Sequence, residues 1–270
     1  NLNINGVPKN LKNTTFPFKF NDFKSLEKII KKEKIGVIKM EVHRSEIPNP
    51  IFLKKVRDIA TKKNIVLIFD ECTSGFRETY GGIHLKYKIF PDIAIFGKAL
   101  GNGYAINAII GKKEIMESCQ STFISSTFWT ERVGSVAALE TLKIMEKIQS
   151  WKQLISIGKK IKKNWSEIAK TNSLKINITG LDALPSFYFD SNLNNAYKTY
   201  ITQELLKKNI LGSNVVYTSV THKKNILDKY FRVLKNIFTT ISECENEKNN
   251  IYNLLETEEA ISGLRYKKNV

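Results

Sequence analysis

A chain of 270 residues with 42% hydrophobic residues is long enough for one large or two medium domains. Its net charge of +17 invites a nucleic-acid interpretation, but the excess is mostly lysine spread over predicted helix surfaces, without the arginine and aromatic stripe that reads bases. We therefore expect no nucleic-acid partner. No apolar run reaches membrane-spanning length and no signal-peptide pattern opens the chain, so we expect no membrane partner either.

The first half of the chain alternates predicted helices with short apolar strands. Asp22 is the candidate N-cap of a first helix, and Asn49 that of a second, which has Pro50 at its first position. Buried strands are predicted at "IGVIKME", "IVLIFDE", "DIAIF" and "AINAIIG". Strands that alternate with helices in this way predict an α/β fold with a mostly parallel sheet.

The second half begins with long helices and continues into short strands. "TERVGSVAALETLKIMEKI" and the lysine-rich "WKQLISIGKKIKKNWSEIAK" read as helices, and "LKINITG" and "SFYFD" as strands. Two more helices are predicted near residues 194–208 and 224–242. The change in character near residue 150 predicts a large domain over 1–148 and a smaller C-terminal α/β domain over 149–270.

The cysteines and histidines give no sign of a metal site. Cys72, Cys119 and Cys244 are far apart and form no CxxC pair, and the three histidines are equally scattered. We therefore predict no metal and expect reduced thiols in a cytoplasmic protein.

The chemically most informative residue is Lys98, which follows the apolar strand "DIAIF" and precedes a glycine-rich turn. Asp70 closes the earlier strand "IVLIFD", and Cys72, two residues later, can share its face. Ligands of open parallel sheets bind beyond the carboxyl ends of the strands, so these side chains can meet in one crevice. Burial of Lys98 there would favour its neutral, nucleophilic form.

An ATPase is the competing interpretation of the same strand. Four apolar residues followed by Asp70 and Glu71 also describe a Walker B strand. That interpretation needs a GxxxxGK[ST] phosphate loop, and none is present in the chain. A P-loop ATPase fragment therefore remains a distant alternative.

Three longer segments carry a resemblance to a known family. They read "IVLIFDECTSGFRETYGG", "FPDIAIFGKALGNGYAINAIIG" and "SSTFWTERVGSVAALETL". They resemble class III aminotransferases, and most closely the glutamate-1-semialdehyde 2,1-aminomutase-like branch. The usual Asp-Glu-Val is kept as Asp70 and Glu71, with Cys72 in place of valine. The resemblance runs from near residue 6 to near residue 262 and is strongest over 64–142.

The resemblance implies a fold-type I enzyme that uses pyridoxal 5'-phosphate. In that family the lysine matched by Lys98 forms a Schiff base with the cofactor, and the carboxylate matched by Asp70 keeps its ring nitrogen protonated. Cys72 belongs to the same cofactor site. Thr127, with Ser126 as second choice, would reach the cofactor phosphate of a neighbouring subunit, which implies a homodimer. The activity implied is aminotransferase (transaminase) or aminomutase (isomerase) chemistry on a small amino or carbonyl compound, with Arg265 a candidate for binding substrate carboxylates.

One departure from the family concerns the start of the chain. Class III enzymes carry an earlier segment with a small-residue phosphate-binding loop and an aromatic residue that stacks on the cofactor ring. This chain begins after that region, so we expect a fragment of a longer enzyme or a chain that needs a missing N-terminal segment. The alternative of a different class is a non-catalytic remnant or subunit of such an enzyme.

Overall fold

The computed structural model describes residues 6–125, 127 and 130–261. The chain divides into two compact units. We call residues 13–155 the Lys98 unit, and residues 156–270 together with 1–12 the C-terminal unit. None of the helices in the described ranges is both long and apolar enough to cross a membrane.

The Lys98 unit follows the predicted alternation of helices and strands. Its elements are α1 (Phe23–Lys32), β1 (Val37–Met40), α2 (Pro50–Lys62), β2 (Val66–Asp70), α3 (His84–Tyr87), β3 (Ile93–Phe96), β4 (Ala108–Gly111), α4 (Lys113–Met116) and α5 (Val133–Ile148). Both predicted N-caps are confirmed: the Asp22 side chain accepts a hydrogen bond from the Ser25 amide, and the Asn49 side chain accepts one from the Ile51 amide. The one-turn helices α3 and α4 are too short to leave a periodic pattern in the sequence.

The four strands form one sheet in the order β1-β2-β3-β4. The first three strands are parallel, and β4 pairs antiparallel with β3. A mostly parallel sheet was predicted and is confirmed. The last strand runs antiparallel, and the segment that joins it to β3, residues 97–107, contains a 3-10 turn but no crossover α-helix.

Buried Asp92, immediately before β3, links several of these elements. Its carboxylate accepts hydrogen bonds from the Leu67 amide of β2 (2.8 Å), from Arg57 of α2 (3.0 Å) and from Lys112 after β4 (2.7 Å). The helix α2, which carries Arg57, also buries the apolar residues Phe52, Leu53, Val56 and Ala60. The amino-terminal edge of the sheet is thus fixed by a charged cluster, while apolar packing holds the helix.

The C-terminal unit has its own core. It contains α6 (Ser150–Thr171), within which the division between the units falls, β5 (Ile176–Leu181), β6 (Leu184–Phe189), α7 (Asn194–Leu206) and α8 (Lys224–Glu245). The two strands form an antiparallel hairpin. Aromatic rings fill the core: Phe187 contacts the rings of Trp165, Phe189 and Phe238 edge to face. The buried cluster that contains these rings includes residues of α6, β6, α7 and α8.

Candidate active site

The carboxyl ends of β2 and β3 place the two central residues of the predicted site at the same edge of the sheet. Asp70 is the last residue of β2 and is paired in register with Ile95 of β3. Lys98 follows two residues after the end of β3, in a 3-10 turn that spans Lys98–Leu100. Parallel strands end at a common edge, so both residues lie where ligands of such sheets bind.

Lys98 is exposed, which corrects the expectation of a buried amine. The strand ends at Phe96, and the following turn carries Lys98 beyond the packed edge of the sheet. Its Nζ atom donates a hydrogen bond of 2.7 Å to the Thr73 hydroxyl. The side chain is therefore oriented by a neutral acceptor instead of being neutralised by a carboxylate.

The backbone at Lys98 is in an unusual conformation. Its φ is +46°, in the left-handed region that a residue with a side chain enters at a cost of about 1–2 kcal/mol. A Cβ at the preceding Gly97 would require the Asn107 side chain to move. Strain of this kind persists only where the surroundings fix it, and it commonly marks functional sites.

Hydrogen bonds from Lys39 and Cys72 hold Asp70. Its Oδ2 atom lies 2.9 Å from Lys39 Nζ of β1, and its Oδ1 atom accepts the Cys72 amide at 3.1 Å. Partial burial alone would raise the pKa of Asp70, but the hydrogen bonds from Lys39 and Cys72 and the charge of Lys39 outweigh it, so the pKa lies below its usual value. Asp70 is therefore an ionised carboxylate at neutral pH.

The charges of Asp70, Lys98 and Lys39 all act on the Cys72 thiol. Burial raises its pKa, as does the neighbouring Asp70, while the positive charges of Lys98 and Lys39 act in the opposite direction. The net result is a raised pKa, so Cys72 is a neutral thiol at neutral pH. It supplies a small apolar surface in place of the valine common in the resembling family.

Glu71 holds the loop between β2 and α3 from within. It is fully buried and accepts hydrogen bonds from the Ile83 amide (3.0 Å), from the His84 amide (3.0 Å) and ring (2.8 Å), and from the Ser74 hydroxyl. These contacts fix the loop that presents Thr73 to Lys98. Glu71 therefore supports the site without facing it.

The remaining predicted site residues are not brought to this edge by any described contact. Thr127 is exposed, and no hydrogen bond joins its hydroxyl to another described residue. Ser126 and Arg265 lie outside the described residues. The roles proposed for all three stay predictions.

Sequence patterns alone missed two residues of the site, Lys39 and Thr73. Lys39 is a lysine within an apolar strand, paired in register with Ile68, which lies two residues before Asp70 on the same face of β2. The alternation of side chains between the two faces of a strand could therefore have pointed to Lys39 as a neighbour of Asp70. Thr73 offered none, because only the fold of its loop brings it to Lys98.

A cavity of about 480 Å³ adjoins the end of β1. Phenylalanines from the segment before α1 form much of its apolar wall, and its polar lining includes charged residues. Lys39 lines the cavity and also contacts Asp70. Its lining includes Phe16, Phe18, Phe20, Lys39, Glu41 and Arg44. The site edge is thus continuous with space for a small molecule.

Comparison with known proteins gives a consistent result. A family model described as aminotransferase class-III matches residues 19–238. A 3-aminobutyryl-CoA aminotransferase of Cloacimonas acidaminovorans is 32% identical over 217 residues, which is 76% of this chain and 52% of that protein. A glutamate-1-semialdehyde 2,1-aminomutase of Methanosphaera stadtmanae is 28% identical over 259 residues, 87% of this chain and 61% of that protein.

The solved structures agree on the fold. An omega-transaminase from Sphaerobacter thermophilus matches with a TM-score of 0.80 at 19% identity, covering 88% of this chain and 60% of that chain. The predicted fold-type I architecture is confirmed by this match. The chain spans about half to three-fifths of the length of the curated relatives it matches.

Proposed function

Because the chain belongs to the class-III aminotransferase family, we propose that it carries the lysine of a pyridoxal phosphate-dependent site for amino-group transfer. The transfer occurs between two small amino and carbonyl compounds, as in an aminotransferase, or within one, as in a 2,1-aminomutase. Relatives of both kinds support this pair of activities. The family match also removes the P-loop ATPase alternative, since it spans both Asp70 and Lys98.

One observation carries the proposal: an exposed lysine amine, oriented by a hydroxyl, lies at the same sheet edge as an ionised carboxylate. The side chain of Lys98 donates to Thr73 and forms no ion pair with another described residue. A lysine amine is a nucleophile that attacks a carbonyl carbon. The residues present therefore fit a cofactor that offers an aldehyde.

Asp70 fits the other end of such a cofactor. Pyridoxal phosphate, when bound, supplies an aldehyde and a ring that withdraws electrons when its nitrogen is protonated. An ionised carboxylate keeps a proton on a ring nitrogen, and Asp70 is ionised. Lys98, once its Nζ atom is free, accepts and returns the proton of the reacting carbon as a general base.

Borohydride trapping tests the assignment of Lys98. Reduction of the full-length protein with pyridoxal phosphate should fix one label, which peptide mapping should place on Lys98. Lys98→Ala should lose the label and the amino-transfer activity while its circular dichroism stays unchanged, since the side chain is exposed. Lys113→Ala, at another exposed lysine, serves as the control and should keep both. A label on any other lysine would contradict the proposal.

Asp70→Asn tests the role of the carboxylate. The amide should leave the cofactor bound but reduce turnover by about two orders of magnitude or more, because it cannot keep the ring nitrogen protonated. Measurement of kcat beside cofactor absorbance separates these effects. Unchanged kcat in Asp70→Asn would count against the proposed role.

We also propose a homodimer with a shared site, in which Thr127 contacts the cofactor phosphate of the neighbouring subunit. A hydroxyl suits a phosphate oxygen, and Thr127 is exposed.

A non-catalytic remnant or subunit, the second candidate, predicts no trapped label at Lys98. A cytoplasmic location is part of the proposal, supported by three free cysteines that form no pair.

A further inference from the structure

Lys39 is placed against Asp70 by the register of two strands. On β2, Ile68 lies opposite Lys39, and Asp70 is the next residue on the same face. The side chain of Lys39 reaches along the sheet toward the carboxyl edge, and its Nζ atom lies 2.9 Å from Asp70 Oδ2. Since the Cys72 amide occupies Oδ1, each oxygen of Asp70 already has one donor.

The ion pair between Lys39 and Asp70 can open, so that another cationic group can approach Asp70. The side chain of Lys39 is 56% exposed and that of Asp70 is 25% exposed, so water reaches both groups. A carboxylate has about four acceptor positions, and the donors from Lys39 and Cys72 do not fill all of them. A cationic group that arrives at Asp70 therefore finds room, but it also meets the repulsion of a second cation a few ångströms away.

We propose that Lys39 is a positioning residue that shares Asp70 with the ring nitrogen of the cofactor and thereby weakens the hold of Asp70 on that nitrogen. The inference rests on the proposed function, because it concerns the same carboxylate. Its consequence is a site whose preference for a protonated ring is lower than Asp70 alone would produce. Lys39 does not contact the reacting atoms in this scheme.

The test compares two ligands that differ only at the ring nitrogen. Dissociation constants are measured in the full-length protein for pyridoxal phosphate and for the analogue in which C–H replaces the ring nitrogen. The dissociation constant of the analogue divided by that of pyridoxal phosphate measures the preference for the ring nitrogen. Any attraction of Lys39 for the phosphate group is common to both ligands and cancels in this ratio. Lys39→Met should raise the ratio about two- to fivefold, the range expected for a part-exposed ion pair.

Matched variants separate charge from packing. Lys39→Arg keeps the cation and should keep the wild-type ratio, while Lys39→Gln, a polar replacement, should behave as Lys39→Met. Asp70→Asn should abolish the preference in either background. Lys34→Met, an exposed lysine before β1, should leave the ratio unchanged.

The outcomes distinguish failure of the inference from failure of the proposed function. An Asp70-dependent preference in the wild type that Lys39→Met leaves unchanged or lowers would overturn the inference and leave the proposed function standing. A wild-type protein that binds neither ligand, or one whose preference survives Asp70→Asn, would overturn both.

Discussion

Thr73 is the residue on which the orientation of Lys98 depends. Its hydroxyl accepts the hydrogen bond from Lys98 Nζ, and its own side chain is buried in the loop that Glu71 organises. A neutral acceptor orients an amine without fixing its charge, which a carboxylate at the same place would do. The arrangement suits a lysine that must be protonated and deprotonated in turn.

Thr73→Val should slow the attachment of Lys98 to the cofactor. The substitution preserves shape but removes the acceptor, and a net loss of one hydrogen bond corresponds to about two- to tenfold in rate. Stopped-flow absorbance on mixing with pyridoxal phosphate measures the rate. Thr73→Ser retains the hydroxyl and should remain close to wild type. Equal rates in the valine and serine variants would show that the hydrogen bond has no part in orienting the amine.

Among elements, the amino-terminal edge of the sheet depends on Asp92. Its carboxylate joins β2, α2 and the residue after β4 through Leu67, Arg57 and Lys112. Burial opposes its ionisation, but these hydrogen bonds and the charge of Arg57 outweigh it, so the pKa of Asp92 lies below its ordinary value of 3.8. The site edge, at the opposite ends of the same strands, relies on this fixed frame.

Asp92→Asn should lower the free energy of unfolding by about 2–4 kcal/mol at pH 7, because it leaves Arg57 without its buried partner. A group whose pKa is lowered on folding stabilises the protein above its unfolded pKa and loses that effect as pH falls through the folded value. The difference between wild type and Asp92→Asn should therefore shrink below about pH 4. Urea unfolding at pH 7 and pH 3 measures it. A difference that is the same at both pH values would contradict the ionic contribution.

The helix α5 shows that helical periodicity and burial are separate matters. Apolar residues recur along it at three-residue steps, at Val136, Leu139, Leu142 and Met145, but Val136 and Leu139 are 62% and 60% exposed. The helix buries Met145 of this repeat, together with Gly134 and Ala138. A three-residue apolar repeat thus marks two faces of this helix, of which the protein packs only one.

At the scale of the whole molecule, the exposed α5 face predicts self-association. Val136 and Leu139, one turn apart, form an apolar surface of the kind that seeks a partner. Replacing both by serine should reduce the association without unfolding, because neither side chain belongs to the core. Light scattering over a range of protein concentrations measures the apparent mass.

The control for this prediction is Lys143→Ser, at an exposed polar position of α5. It should associate like the wild type. An apparent mass equal to that of the monomer at every concentration, in all three proteins, would rule out association through this face.

Local patterns in the sequence determined most of the elements and the family. The capping residues Asp22 and Asn49 and the apolar strand runs act within a few residues of chain, so they predict helices and strands without knowledge of the fold. The motif around Lys98 identified the family, which the matching family model confirms. The carboxyl ends of parallel strands lie at the same edge of a sheet, so the strand pattern alone predicted that Asp70 and Lys98 share an edge.

Only the tertiary structure decided what each of these groups contacts. Lys39 meets Asp70 because the register of β1 against β2 aligns them, and Thr73 meets Lys98 because a loop fixed by buried Glu71 folds back over the end of β3. The exposure of Lys98 depends on where a turn leaves the sheet, which no residue pattern encodes. Hydrogen bonds and ion pairs act over about 3 Å, so residues distant in sequence interact only after the chain has folded.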